Sequence, residues 1–276
     1  MQVAMIQDKI MPVEELGPAY LDRGVFFGDG VYEVVRSYNG RIFSLDEHIQ
    51  RFARSLAAIE ITGIEIDRVR RRVQKAFSAA GIENAKIYFH ATRGSGLRSH
   101  VCDEGLAPNF FLTVTELEDK PEVKTNGIAV STYPDLRWKR CDIKSLNLLP
   151  NVLARMDAEK KGCEEAVFVD DDGFITEGAA SGFLAVFGDR LHTAPLTANI
   201  LPSITRMFVI KAAGNIGMEV VEESFTAEQA GGADELFLAV TTKDIVPVVR
   251  FDDKTIREGR PGKYTRLLAE EFRSFI

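Results

Sequence analysis

The sequence predicts a mixed α/β or α+β fold in two domains. Strand-like and helix-like stretches alternate through the first half, beginning with the β-rich run 31–38. A charged segment at 116–124 then contains a proline and shows no apolar periodicity. A second set of strands and helices lies beyond it, so we expect functional sites in a cleft between two domains. The expected divisions are an N-terminal α/β domain at 1–116, a linker at 117–124 and a larger C-terminal domain at 125–276.

Turn signals and helix-cap signals predict the helices and strands of the N-terminal half. Asn39-Gly40 is a hairpin signal, and Ser44-x-x-Glu47 matches the capping box that begins many helices. Apolar residues then recur at helical spacing from Ile49, on a face that excludes Arg51. Further elements are expected as a helix at 67–80 ending at Gly81, and as strands at 86–92 and 110–115.

The C-terminal half shows the same kinds of signal. Asp172-Gly173 lies between two apolar runs and predicts a hairpin. Strands are expected at 128–132, 166–169, 174–176, 183–187, 235–240 and 246–251. Helices are expected at 151–161, 204–216 and 264–275.

Composition excludes several classes of protein. The chain has 276 residues, 45% of them hydrophobic, and a net charge of −7 without a basic patch, which argues against nucleic-acid binding. It has no run of about 18 apolar residues, no basic-then-apolar signal pattern and no metal-binding motif. Its three cysteines do not suggest a disulfide framework. We expect a cytoplasmic protein that binds neither membranes nor metals.

Lys144 is the first candidate for chemistry. It lies between Ile143 and Leu146 in an apolar stretch. Burial disfavours the ammonium form of lysine, which makes the amine available as a nucleophile. On local sequence alone, a lysine at a strand edge reaching to water is the commoner case.

Glu177 is the second candidate, because it precedes the run of small residues 178–182. Small side chains let a flat group approach the backbone closely, and a carboxylate beside it can pair with a pyridine nitrogen. A solvent-facing acid at the end of a hairpin is the alternative.

Anion-binding groups occur at two further places. The segment 201–206 opens a predicted helix, whose free N–H groups suit a phosphate, and Thr241-Thr242 ends an apolar strand. Arg98 and His100, in the polar loop 94–105, suit a carboxylate, and Tyr32 offers a phenol. Each of these features also occurs as an ordinary cap, loop charge or strand aromatic. Gly28-x-Gly30 precedes a strand, so it is not a dinucleotide loop.

Taken together, these residues resemble the fold-type IV pyridoxal-phosphate enzymes. That family includes branched-chain aminotransferases, aminodeoxychorismate lyases and D-amino acid transaminases. The resemblance runs almost end to end, and the Arg-x-His pair at 98–100 is similar to the D-amino acid transaminase subgroup. The longest matching stretches are 23–35, 47–51, 137–149, 175–178 and 204–206.

The resemblance implies a role for each candidate. Lys144 would be the Schiff-base lysine of pyridoxal 5'-phosphate, which alternates with pyridoxamine phosphate, and Glu177 would pair with the pyridine nitrogen. The phosphate would be bound by Arg51, Ile204, Thr205 and Thr241. Tyr32, Arg98 and His100 would bind the α-carboxylate of a D-amino acid or a 2-oxo acid. The family is homodimeric, so Arg98 and His100 are expected to act on the neighbouring subunit's site.

Two departures from the family pattern stand out. Ala179-Ala180-Ser181-Gly182 replaces the usual Ser-Ser-Asn after the Glu-Gly pair, and Pro202-Ser203 replaces Lys-Gly. Branched-chain L-amino acid transfer and aminodeoxychorismate lyase activity remain alternatives that share the same cofactor residues. A protein that keeps the fold only for binding or assembly is a third alternative.

Overall fold

The structure of the protein is a computed structural model that describes residues 2–102, 105–197 and 199–276. Helices and strands are mixed in both halves of the chain, so the predicted fold class is confirmed. Among the described residues, no helix combines the length and the apolar character needed to cross a bilayer.

The N-terminal segment forms short elements that the sequence did not predict. Strands β1 (Val3–Ile6) and β2 (Lys9–Pro12) pair as an antiparallel hairpin, and two 3-10 turns follow before helix α1 (Arg23–Phe27). Asp22 caps α1 by accepting a hydrogen bond from a backbone N–H, and Gly28 ends it with a φ of 65°. Runs this short carry too little periodicity to be recognised from sequence.

Within the residues that the structure describes, the first sheet has four antiparallel strands in the order β4-β3-β5-β6. Alternate residues of β5 (Ile87, Phe89 and Ala91) are fully buried and belong to a core formed with two helices. Because successive side chains of a strand point to opposite faces, the residues between them face the other side of the sheet. The elements are β3 (Gly30–Tyr38), β4 (Arg41–Ile42), α2 (Leu45–Ala58), α3 (Ile66–Ala80), β5 (Ala85–Thr92) and β6 (Asn109–Glu116).

The start of α2 differs from the prediction. The helix is present, but Ser44 has a φ of 50° and its side chain makes no capping hydrogen bond. A capping box needs the first residue in the extended region, so the left-handed backbone of Ser44 prevents it. The end of α3 agrees with the prediction, because Gly81 adopts a φ of 63°.

A short helix, α4 (Pro121–Asn126), begins inside the predicted linker. Lys124 Nζ lies 2.7 Å from Asp244 Oδ2 and 3.1 Å from Asp119 Oδ1, so ion pairs hold this segment against the second half of the chain. The division into domains at 117–124 stays a prediction.

In the described part of the chain, the second sheet has nine strands in the order β12-β11-β10-β13-β14-β7-β8-β9, with β15 pairing β14. It is mixed, because β7 is parallel to both of its neighbours while the β8–β9 and β13–β14 pairs are antiparallel. The strands are β7 (Ile128–Pro134), β8 (Glu165–Val169), β9 (Ile175–Gly178), β10 (Gly182–Phe187), β11 (Arg190–Thr193), β12 (Val220–Glu222), β13 (Glu235–Val240), β14 (Asp244–Phe251) and β15 (Lys254–Thr255).

Among the residues that the structure describes, four helices accompany the second sheet, and three separate apolar clusters lie among these elements. The three longer helices and the longer strands lie where the sequence predicted them, with ends shifted by a few residues. The short elements β11, β12, β15 and α7 were missed. The helices are α5 (Leu149–Lys160), α6 (Ile204–Asn215), α7 (Ala227–Ala230) and α8 (Lys263–Arg273).

Candidate active site

A cavity of about 310 Å³ brings most of the predicted site residues together. Its walls come from β3 and β5 of the first sheet and from the segment 137–151, β9, β10 and the end of β13 in the second half. The predicted residues that line the cavity are Tyr32, Arg51, Lys144, Glu177 and Thr241.

Lys144 lies in the loop before α5 and is held against β3. Its backbone oxygen accepts a hydrogen bond from Tyr32 N at 2.9 Å, and its backbone N–H donates to Ser55 Oγ at 3.1 Å. A bridge between Val31 and Ser145 extends this contact. The side chain is half-buried, and its Nζ lies 4.2 Å from the centre of the Tyr32 ring. The fold therefore fixes the backbone of Lys144 and leaves its amine in the cavity.

Glu177 is buried at the end of β9, and its Oε1 is occupied. This oxygen contacts Arg137 Nη1 and accepts a hydrogen bond from Leu201 N at 3.2 Å. Burial raises the pKa of the Glu177 carboxyl above its ordinary value, although the Arg137 guanidinium opposes the change. The second oxygen, Oε2, has no hydrogen-bond partner among the described residues.

Arg137 begins one of the stretches that resemble the family, but the sequence did not predict a role for it. Its guanidinium also binds Asp135 through two hydrogen bonds of 2.8 and 2.7 Å, and it lies 4.4 Å from the centre of the Phe168 ring. Arg137 is therefore fixed between two carboxyl groups and an aromatic face. The spacing Asp135-x-Arg137 was visible in the sequence, but its link to Glu177 depends on the packing of β9 against the loop after β7.

Arg51 reaches the cavity from α2 and is held by a buried ion pair. Glu33 Oε1 and Oε2 each lie 2.7 Å from the guanidinium, and Pro202 O accepts a third hydrogen bond at 2.9 Å. His48 Nδ1 lies 2.8 Å from Glu33 Oε2. Three of the five N–H groups of Arg51 are thus engaged, which leaves two without a partner in the described part of the chain.

The charges of this buried group are set by its surroundings. Burial raises the pKa of Glu33, but the Arg51 guanidinium and the His48 ring outweigh burial and lower it to about 2. Burial also lowers the pKa of His48, so the ring is neutral and donates from Nδ1 to the Glu33 carboxylate. Arg51 therefore keeps its positive charge, with an orientation fixed by Glu33.

The start of α6 lines the cavity close to Arg51, which donates a hydrogen bond to Pro202 O. Ser203 caps the helix by accepting a hydrogen bond from Arg206 N at 3.2 Å, and Ser203 itself lines the cavity. Ile204 and Thr205 are buried at the first turn but are not among the lining residues. Thr241, directly after β13, and Thr242 line the cavity.

Small residues form another wall, at 178–182. Asn151 Nδ2 donates to Ala179 O at 2.8 Å and so holds this backbone in place. Ser181 is 7% exposed, and its Oγ is buried with no hydrogen-bond partner among the described residues. A Cβ on residue 178 would collide with Ser181 Oγ, so any larger residue in place of Gly178 would force this hydroxyl to move.

Arg98 and His100 do not reach this cavity within one chain. Both are exposed, and they pack near Phe27, with distances of 5.0 Å from Arg98 Cζ and 5.3 Å from the His100 ring to the Phe27 ring centre. Arg23 fixes their loop by donating to Ser99 O at 2.5 Å and His100 O at 3.0 Å. The two residues are thus held on the surface, beside a groove that His100 shares with Trp138 and Asn147 of the cavity wall.

Comparison with known proteins agrees with this geometry. Residues 30–251 match the family described as amino-transferase class IV. The chain belongs to the class IV aminotransferases. The resemblance to fold-type IV enzymes and the prediction of an aminotransferase are thereby confirmed.

Individual relatives and structures extend the match over nearly the whole chain. A D-alanine aminotransferase of Bacillus licheniformis is 35% identical over 95% of this chain and 93% of its own. The branched-chain amino acid aminotransferase structure of Escherichia coli superposes with a TM-score of 0.87 and 24% identity, covering 96% of this chain and 91% of that one. A branched-chain amino acid aminotransferase structure of T.th. with pyridoxamine 5'-phosphate gives a TM-score of 0.85 and 23% identity, covering 97% and 92%. At these identities the two structures show the shared fold.

Proposed function

We propose that the cavity binds pyridoxal 5'-phosphate and that the protein exchanges the amino group of D-amino acids, such as D-alanine, with 2-oxo acids, such as 2-oxoglutarate. The observation that carries the proposal is the presence of the Lys144 amine and the buried Glu177 carboxyl in one cavity. The curated relatives named D-alanine aminotransferase support the choice of D-amino acids.

The donor groups fit the phosphate of this cofactor. Arg51 has two N–H groups without a partner among the described residues and a charge oriented by Glu33, and the first turn of α6 offers backbone N–H groups beside Ser203. Helix N-termini attract phosphates because their N–H groups are unpaired and the helix dipole is positive there. Thr241 would add a hydroxyl, and Ile204 and Thr205 would contribute through their backbone.

A second group of lining residues fits the ring. The small residues 178–182 leave room for a planar group, and Ser181 Oγ is a buried polar atom that lacks a partner among the described residues. Such an atom is costly unless a ligand or water completes it. Glu177, with a raised pKa and its Oε2 available, is suited to share a proton with a pyridine nitrogen. The replacement of the usual Ser-Ser-Asn therefore leaves one hydroxyl, that of Ser181, in place.

Lys144 is the group that would hold the cofactor and move protons. When bound, pyridoxal phosphate supplies an electron-accepting ring next to the substrate's α-carbon. Lys144 Nζ would take the α-proton of the incoming amino acid and return a proton within the same half-reaction, so that one amine acts first as base and then as acid. Tyr32, whose ring lies under Nζ, limits the directions from which a substrate can approach.

The α-carboxylate would be bound across a homodimer. Arg98 and His100 are exposed and held away from their own cavity, so they are free to enter the cavity of a second copy. A stripe of exposed apolar residues on α5 supports dimerisation, since large exposed apolar patches mark contact surfaces. The stripe consists of Leu149, Val152, Leu153 and Met156. With the carboxylate fixed by Arg98 and His100, the handedness of the substrate decides whether its α-hydrogen points to Lys144.

Branched-chain L-amino acids are the second candidate substrates, because solved structures of branched-chain enzymes superpose on nearly the whole chain. The Arg-x-His loop is the feature that separates the two candidates. A branched-chain L-transaminase would not need Arg98 and His100.

Cofactor binding and substrate choice are tested separately. Pyridoxal phosphate added to the purified protein should produce visible absorbance, and borohydride should then fix the cofactor on the peptide that contains Lys144. The exposed Lys139, five residues before it, is the internal control and should stay unmodified. Reduction that leaves residue 144 unlabelled contradicts the cofactor assignment.

Turnover of D-alanine and of L-leucine, each with 2-oxoglutarate, then decides between the two substrate classes. The proposal expects D-alanine to react faster. Preference for L-leucine would assign the protein to branched-chain transfer instead.

A further inference from the structure

Lys86 is a cation of the cavity wall that neither the cofactor nor the α-carboxylate requires. It lies on β5, on the face opposite the buried Ile87 and Phe89, and the sheet register places it across from Arg36 of β3. Alternation along β5 therefore turns Lys86 toward the cavity, where it lines the wall with Tyr32 and Val34.

Two of the other cationic side chains that line the cavity are already paired with carboxylates. Arg51 pairs with Glu33, and Arg137 pairs with Asp135 and Glu177. Lys144 is the amine of the reaction.

Arg36, directly opposite Lys86, donates to Asp244 Oδ1 at 3.2 Å and to Thr242 O at 3.0 Å. Lys86 forms no ion pair within residues 2–102, 105–197 and 199–276, although its side chain is exposed to the cavity solvent.

We propose that Lys86 binds the distal carboxylate of dicarboxylic substrates and so selects them over neutral ones of the same length. This inference rests on the proposed transaminase function and names a specificity residue for it. An unpaired cation beside an apolar Val34 attracts a carboxylate through a charge-assisted hydrogen bond. D-Glutamate and 2-oxoglutarate carry such a group, whereas D-alanine does not.

Because Lys86 is exposed, its contribution to substrate selectivity should be limited. Exposed ion pairs are weakened by solvent and by salt, so the selectivity should be moderate and should fall as ionic strength rises. It should appear in KM, since the distal carboxylate is held equally before and during reaction.

The activity test compares D-glutamate with D-glutamine, which differ only in a carboxylate and an amide. In Lys86→Met, the ratio of kcat/KM for D-glutamate to that for D-glutamine should fall about threefold, mainly through the KM for D-glutamate. Lys86→Arg should keep most of the ratio because it keeps the charge. Lys75→Met, which removes an exposed lysine from α3, is the matched control and should leave the ratio unchanged. A ratio in Lys86→Met equal to that of the natural protein overturns the assignment.

A binding test separates this inference from the function on which it rests. Trp138, the single tryptophan of the chain, lines the cavity, so its fluorescence can report binding of glutarate and of the monocarboxylate butyrate. The preference for glutarate should disappear in Lys86→Met. If no D-amino acid reacts but this preference is present and depends on Lys86, the transaminase proposal fails and the Lys86 site stands. If glutarate binding does not depend on Lys86, the Lys86 proposal is wrong, whether or not the protein has transaminase activity.

Discussion

Replacing Glu33 with glutamine tests the buried charge network behind Arg51. Glu33 is fully buried and bonds both Arg51 and His48, and the change keeps its shape while removing its charge. The new amide group would point an N–H at one of these two donors. Arg51 would then be a buried cation with no carboxylate partner, held by Pro202 O and at most the single amide oxygen of residue 33, and breaking a buried ion pair in this way costs about 3 to 5 kcal/mol in other proteins.

The pKa of Glu33 gives a second way to calculate how much free energy of unfolding the substitution removes. A fall from 4.5 to about 2 on folding corresponds to about 3 kcal/mol of stability. Because the folded-state pKa is the lower one, this contribution is complete above the unfolded value of 4.5 and is lost as the pH falls toward about 2. Removing the carboxylate should therefore matter at neutral pH and matter less in acid.

Urea unfolding of the cofactor-free protein measures this directly. Glu33→Gln should lower the free energy of unfolding by about 3 kcal/mol at neutral pH, and the deficit should shrink below about pH 4.5. Glu116→Gln, at the exposed end of β6, is the matched control and should change stability by less than about 0.5 kcal/mol. A deficit that is below about 1 kcal/mol at neutral pH, or that does not vary with pH, would refute the reasoning.

Three further predictions concern the reaction and the core. Lys144→Ala should abolish turnover and leave the urea midpoint near that of the natural protein; measurable turnover would contradict its role as the reacting amine. Arg98→Ala should raise the KM for D-alanine at least about tenfold, equivalent to about 1.4 kcal/mol, whereas Arg68→Ala on the outer face of α3 should not; an unchanged KM would mean that another group binds the carboxylate. Phe89→Ala, in the core of the first sheet, should destabilise by about 3 to 5 kcal/mol in urea unfolding, and a loss no larger than that of the half-exposed Phe111→Ala would show that this core is looser than its packing suggests.

Local signals predicted the longer elements of this fold well. β5 alternates between buried and open positions, and α3 ends at a glycine with positive φ, so their sequence patterns alone identified them. Such patterns work because they depend on neighbours a few residues away.

The misses have an equally local cause. Ser44 matches a capping box in sequence, but the preceding tight turn after β4 places it in the left-handed region. The strands β11, β12 and β15 span two to four residues each, too short for a period to be recognised. Helix α4 spans only 6 residues and lies in a charged segment, so its sequence shows no apolar period. Ion pairs hold it in place.

By itself the sequence determined the longer helices and strands, and its resemblance to a known family pointed to Lys144 and Glu177. Only the tertiary structure decided what surrounds them. It showed that Arg137 occupies one oxygen of Glu177, that Lys86 joins the cavity, and that Arg98 and His100 stay outside their own chain's site. These features depend on residues that are far apart in the chain and meet only in the folded protein, which no local pattern encodes.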